Sequence, residues 1–316
     1  MLENATGISH AKIILIGDHS VVYNQPAIAL PLPAIKTTVS IAKRANHQQL
    51  FSSRYFSGSI SEMPLDLTGN ATLIKALLER FNAQDTGFEL NIESDLPAER
   101  GMGSSAAAAV AITRAIYHFF DHSLSKKQLI DDANIAEHIT HGNPSGIDVA
   151  TTSSRNPVWF LHNQGSSELN LNLSGALVVA DTGIQGQTSE AVNLVAEARR
   201  TDFDQTNAYI EKLGRLTTFA RIAIEDNNLI SLGDSLNEAQ RLLVKLNVSH
   251  PKIDQLVKVA LNNGALGAKL TGGGMGGCMI CLADSVSSAV NLQSVLSNAG
   301  AINTWIQPFR SEELIK

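Results

Sequence analysis

Asp95-Leu-Pro-Ala-Glu-Arg-Gly101-Met-Gly103-Ser104-Ser105-Ala-Ala-Ala-Ala109 follows an apolar alternating segment, passes two glycines and enters a run of alanines behind two serines. That order reads as strand, glycine turn, helix. The first N–H groups of a helix have no partner inside it, and with the helix dipole they favour a bound anion. Glycines let the backbone approach a phosphate without side-chain obstruction. Three readings fit. One is a helix merely capped by Ser104. A second is a dinucleotide fingerprint, because Gly101-x-Gly103-x-x-Ala106 has its spacing; the long lead-in, the mid-chain position and the lack of a well-placed strand-end acid count against it. The third is a phosphate loop for a nucleoside triphosphate. It is not a P-loop, since G-x-x-x-x-G-K-[ST] occurs nowhere in the chain.

Three further segments carry chemistry. In Glu137-His-Ile-Thr-His141-Gly-Asn-Pro-Ser-Gly-Ile-Asp148, Glu137 falls on the last turns of a helix ending near Gly142, with Asp148 shortly beyond. A carboxylate helped by a serine hydroxyl suits Mg²⁺, which takes one or two protein oxygens plus phosphates and water. A second carboxylate could accept the proton of an acceptor hydroxyl. Both acids could equally be solvated. His138 and His141 lack the surroundings of a zinc site. Ala11-Lys12-Ile-Ile-Leu-Ile-Gly17-Asp18-His19-Ser20 opens an apolar strand with a lone lysine, and a buried ammonium needs a partner; Asp148 would supply one, and a snorkelling surface lysine is the alternative. Lys269-Leu-Thr271-Gly-Gly-Gly-Met-Gly-Gly277 formally matches GxGxxG, yet the strand-like CMICL follows where a Rossmann unit needs a helix. A tight loop beside a ligand or another backbone is the better reading, and a plain hairpin loop is compatible with it.

The whole chain sets bounds. With 316 residues, 44% hydrophobic and 17% charged, it is long enough for two domains and globular. A net charge of −6 without a basic tract leaves no electrostatic footprint for nucleic acid or a membrane surface. No signal-peptide pattern opens the chain and no run of about 18 apolar residues occurs, so a cytoplasmic protein is expected. The two cysteines, Cys278 and Cys281, stand three apart on a predicted strand and face opposite sides. They are expected to be buried thiols.

Strands are predicted over 12–16, 27–30, 37–42 and 88–92, and helices over 71–81, 104–120 and 125–141. The polar stretch 162–174 is placed as a domain linker. Beyond it come a strand at 176–180, helices from about 189 to 263, strands at 268–270 and 278–282, a helix at 285–298 with Asp284 as cap, and a strand at 302–306. Without the extra helices this is β-α-β-β-α-β, the ferredoxin-like order.

Taken in order, the four segments resemble the GHMP kinases, the family of galactokinase, homoserine kinase and their relatives. Its GLGSSAA loop is matched by Gly101-Met-Gly-Ser-Ser-Ala-Ala107, and its late glycine motif by residues 269–278. His141-Gly-Asn-Pro-Ser-Gly-Ile-Asp148, Gly17-Asp18-His19-Ser20-Val21-Val22 and Asp181-Thr-Gly-Ile-Gln-Gly-Gln-Thr188 resemble the branch that phosphorylates mevalonate. The resemblance implies an α+β, two-domain fold with a ribosomal-S5-like half (1–170), a ferredoxin-like half (171–316) and the active site between them. It implies transfer of the ATP γ-phosphoryl to the 5-hydroxyl of (R)-mevalonate, with Asp148 as base and Lys12 holding it ionised. Gly101, Met102, Gly103, Ser104, Ser105 and Ala106 would line the ATP phosphates, Ser105 and Glu137 would bind Mg²⁺, and His19, Asp18, Thr188 and Gly273 would meet the acceptor. A homodimer is left open. Relatives often carry Glu where Asp18 stands, and some carry Tyr at the position of Ala108. Competing expectations are a kinase for a phosphorylated acceptor, for which Arg100 and Arg155 are the cations near these motifs, a non-catalytic metabolite sensor and a Rossmann oxidoreductase.

Overall fold

The computed structural model describes residues 1–96, 100–142, 144–171 and 173–309. Pro97, Ala98 and Glu99 in the lead to the glycine pair, together with Asn143, Asn172 and residues 310–316, lie outside the described residues. The chain divides into two compact units. One takes in Met1–Lys12, Pro31–Pro97 and Gly103–Arg155; the other takes in Ile13–Leu30, Ala98–Met102 and Asn156–Lys316.

In chain order the elements up to residue 155 are β1 (Asn4–Ile16), β2 (Ala27–Lys43), β3 (Gln49–Ser52), β4 (Ser57–Ser59), α1 (Thr68–Arg80), β5 (Phe88–Ser94), α2 (Ser104–Phe119), α3 (Lys126–His141) and α4 (Ile147–Thr152). In the first unit the strands run β4-β3-β5-β2, with β3 parallel to β5 and the other pairs antiparallel; β1 also pairs with β2. Val39 and Ile41 of β2 oppose Ile92 and Leu90 of β5, and this face packs on α2 with Phe51, Phe88 and Phe119 fully buried. The alanines of α2 let its flanks approach α1, α3 and α4 closely. Ser125 closes a capping box with Gln128 at the start of α3. Buried Asp132 on α3 ties the three long helices together, accepting from Arg80 Nη1 at 2.5 Å and from the Tyr117 hydroxyl at 2.9 Å.

The strands predicted at 27–30 and 37–42 are a single strand, β2, which runs through Pro31 and Pro33. Residues 30–36 pair with neither β5 nor the following β6, so the missing proline N–H groups leave those ladders intact. β1 likewise begins at Asn4, earlier than its apolar run suggests, because residues 4–9 alternate between exposed and buried.

The remaining elements are β6 (Val158–Leu161), β7 (Gly165–Glu168), β8 (Ala176–Asp181), α5 (Thr188–Thr201), α6 (Phe203–Glu225), α7 (Leu229–Lys245), α8 (Pro251–Asn262), β9 (Gly267–Thr271), β10 (Cys278–Ala283), α9 (Val286–Asn298) and β11 (Asn303–Pro308). The stretch expected as a linker holds β7, which pairs with β6 as a hairpin. β8 to β11 form an antiparallel sheet in the order β11-β8-β10-β9. The first of these strands thus pairs with the third and the fourth, the ferredoxin-like arrangement. Ser285, one residue later than the expected Asp284, caps α9 by accepting from the Ser288 N–H, while Asp284 accepts from the Ser285 and Ser288 hydroxyls. Cys278 and Cys281 are free and buried on β10. Burial pushes the Cys281 thiol up to about 12, and pushes Cys278 well above the ordinary thiol range. Among the described residues no helix is long and apolar enough to cross a membrane.

Candidate active site

Each unit carries a cluster of polar side chains that gathers residues singled out from the sequence. In the first, α2 begins at Ser104 behind Gly103, whose φ of 74° is left-handed. No side chain caps this end. The structure thereby corrects the capped-helix alternative: Ser104 is the first helical residue, and the opening N–H groups remain available to an anion. Glycine is required at 103 on two counts. The left-handed conformation strains other residues, and a Cβ there would sit 2.9 Å from Lys12 Cγ and 3.4 Å from Thr152 Cγ2. Gly103→Ala is therefore expected to distort the loop and weaken the binding of a phosphate-bearing anion at the start of α2 about tenfold, as roughly 1–2 kcal/mol of left-handed strain is added to the clash. A titration with a phosphate-bearing ligand, alongside a melting curve, checks this.

Lys12, only 2% exposed, extends its stem under Gly103 and places Nζ 2.9 Å from Asp148 Oδ1. The lone lysine of the apolar strand is thus a buried ammonium with its partner. Asp148 stands in the first turn of α4, which the left-handed Gly146 introduces, and its side chain remains 36% exposed. A carboxylate at a helix start is favoured by the backbone dipole. One oxygen faces a fixed cation while the group keeps access to solvent.

Glu137 is the third member. It is 3% exposed on the last turn of α3, and burial raises its pKa. The neighbouring Ser105 hydroxyl opposes that shift, Asp148 reinforces it, and His141 and Lys12 lower it. His141 Nε2 is 3.8 Å away, and among the described residues Glu137 Oε1 has no hydrogen-bond partner. A buried carboxylate with an orphaned oxygen beside a serine hydroxyl is a ligand set lacking positive charge, and it fits a hard divalent cation.

The second cluster lies around the end of β9. Thr271 Oγ1 donates to the Ile14 carbonyl and accepts from the Ile14 N–H, each at 2.9 Å. The Gly272 N–H donates to Asp18 Oδ1 at 2.7 Å, and the His19 Nε2 ring nitrogen is 2.9 Å from the Gly273 carbonyl. Asp18 forms an ion pair with Lys269 at 2.5 Å, and both side chains are completely buried. Burial lowers the pKa of His19, with Asp18 and the Gly273 carbonyl opposing. Thr188, the first residue of α5, packs on Gly273, where a Cβ would stand 2.3 Å from its Oγ1. Asp18, His19, Thr188 and Gly273 therefore come together, as do Lys12, Ser105, Glu137 and Asp148 in the other unit. Arg100 is held by Asp181, with Nε 3.0 Å from Oδ1. The residue that sequence reasoning missed is Lys269. A lone lysine in an apolar strand was its available signal, the same one that singled out Lys12.

The family model for the GHMP kinases N terminal domain matches residues 70–155, and that for the GHMP kinases C terminal matches residues 220–302. The mevalonate kinase of Pyrococcus abyssi is 34% identical over 298 residues, covering 86% of this chain and 87% of its own. Among solved structures, mevalonate kinase from methicillin-resistant Staphylococcus aureus MRSA252 is 36% identical with a TM-score of 0.77, covering 98% of this chain and 99% of its own. L. major mevalonate kinase in complex with R-mevalonate shares the fold at 24% identity, with a TM-score of 0.81 and 96% of each chain covered.

Proposed function

The chain belongs to the GHMP kinase family, and from that premise we propose that it transfers the γ-phosphoryl group of ATP to the 5-hydroxyl of (R)-mevalonate, forming 5-phosphomevalonate for isoprenoid synthesis. It is a kinase with an alcohol acceptor. The observation that carries the reading is the Lys12–Asp148 pair at 2.9 Å, in the unit that also holds the uncapped start of α2. Phosphoryl transfer needs positioning and charge neutralisation more than covalent help. The α2 N–H groups and the loop at Gly101–Ala106 hold phosphate oxygens. Asp148 accepts the proton of the attacking hydroxyl. Lys12 fixes the orientation of Asp148 and presents positive charge to the transferring group. His19 and Thr188 are the proposed contacts to mevalonate.

Ser105 and Glu137 would hold Mg²⁺, which when bound neutralises charge on the triphosphate. The orphaned Glu137 Oε1 supports this assignment. Glu137→Gln is accordingly expected to raise the Mg²⁺ concentration needed for half-maximal rate on the order of tenfold or more, with little change in mevalonate KM. A Mg²⁺ titration at saturating ATP and mevalonate checks it; an unchanged titration would remove Glu137 from the metal site.

The function itself is tested by ADP release with Mg-ATP and mevalonate, phosphomevalonate, homoserine or galactose as acceptor. Turnover on mevalonate alone supports the reading. Turnover on another of the four overturns the substrate and keeps the chemistry. A phosphorylated acceptor ranks lower because its extra phosphate calls for added cations, and of the two near these motifs, Arg100 and Arg155, Arg100 is paired with Asp181.

A further inference from the structure

Three consecutive residues at and just past the end of β9 are each held by the end of β1 or the turn that follows it: Thr271 by Ile14, Gly272 by Asp18 and Gly273 by His19. The middle tie differs from its neighbours. Its acceptor is a carboxylate 1% exposed, its counter-charge is the fully buried Lys269, and among the described residues no other lysine or arginine forms an ion pair with Asp18. Lys269 also donates to the Leu270 carbonyl, so its ammonium braces the strand that leads into the glycines. The glycine run in turn abuts the lead of the phosphate loop. A Cβ on Gly272 would lie 3.1 Å from the Gly101 carbonyl oxygen, and one on Gly277 would lie 2.9 Å from that of Arg100. An aspartate so enclosed, 1% exposed with Oδ1 on a backbone N–H and Oδ2 facing an ammonium, presents no open face to an acceptor molecule.

We propose that Lys269 and Asp18 are positioning residues for the nucleotide: their buried ion pair holds the Gly272 N–H, packing the glycine run against Arg100–Gly101 and setting the backbone that receives the ATP phosphates. Asp18 thereby acts on ATP and not on the acceptor, which departs from the role that the resemblance implies for its position. The inference rests on the kinase reading above, and its test includes an arm that needs no acceptor.

The test compares Asp18→Asn, Lys269→Met and the double variant with wild type. Each is measured for steady-state KM of ATP and of mevalonate, for kcat, for the Kd of a non-hydrolysable ATP analogue by calorimetry, and for thermal unfolding. In the single variants one charge is left buried and unpaired. Both are expected to weaken analogue binding and raise the ATP KM at least tenfold, while the mevalonate KM stays within about twofold. The double variant carries no unpaired charge, and the asparagine carbonyl can still accept from the Gly272 N–H, so nucleotide binding is expected to return to within about threefold of wild type. A merely structural pair would move the melting temperature without separating the two KM values. A tenfold rise in mevalonate KM with unchanged analogue binding would overturn the proposal by making Asp18 an acceptor contact. A double variant as impaired as the worse single one would overturn the coupling. If Lys269→Met fails to fold, Asp18→Asn and the double variant still decide. Loss of mevalonate turnover in wild type would sink the kinase reading and leave the calorimetric arm interpretable.

Discussion

Asp148→Asn is expected to lower kcat about a thousandfold while the Kd for ATP changes less than threefold. A positioned general base contributes roughly 10²–10⁴ in rate. Asparagine keeps the shape of the side chain and an oxygen for Lys12, which lies 2.9 Å from Oδ1, but it cannot take the proton of the attacking hydroxyl. A loose transition state needs little activation of the nucleophile, which places the expectation inside that range and not at its top. Asp148→Ala removes the oxygen as well, frees the Lys12 ammonium and should abolish measurable turnover. Single-turnover kinetics with a separate nucleotide-binding measurement distinguishes the outcomes. If ATP binding were lost with the fold intact, Asp148 would be a nucleotide ligand; if kcat fell less than tenfold, proton removal by Asp148 would not matter to the rate.

Lys12→Met is expected to reduce kcat at least a hundredfold and to leave the melting temperature equal to or above that of wild type. The ammonium is 2% exposed, and taking a cation out of water is costly. Replacing a buried charge by an apolar chain of similar volume is often neutral or stabilising when the partner is not left stranded. Asp148 is 36% exposed, so it can turn to water. Methionine also preserves the stem under Gly103 and Thr152, where glycine at 103 exists to make room. A gain or tie in stability joined to a large loss of rate would mean the charge is kept for chemistry. A melting temperature several degrees lower, with a rate loss no greater than in a neighbouring core variant, would reassign Lys12 to structure. Lys12→Arg is a useful companion, since the broader guanidinium cannot fit the same slot beside Gly103.

The parts that could be read from sequence are those whose chemistry is local. Two glycines before two serines and an alanine run announce the glycine-led start of α2, and Lys12 declares itself because an ammonium in KIILI has to be answered by some acid. The ferredoxin-like order of β8 to β11 follows from periodicity alone. What escaped was long-range or weakly patterned. Nothing in the neighbourhood of Lys269 names Asp18 as its partner, because the contact between Asp18 and the glycine run spans 254 residues. β7 reads Gly-Ser-Ser-Glu and is exposed throughout, so it carries no alternation to detect. The prolines of β2 suggested a break because the local sequence does not show that residues 30–36 fall between the strand's ladders with β6 and β5.

The burial of Cys278 and Cys281 on a strand paired on both sides has a practical side. A thiolate reacts and a thiol hardly does, so with Cys281 pushed up to about 12 and Cys278 raised as well, a thiol-directed reagent finds no cysteine thiolate to attack while β10 remains between β8 and β9. Labelling of these two atoms must wait for the strand to come away. A chromogenic disulfide reagent therefore turns the pair into a stopwatch for the opening of that sheet, read without any substrate at all.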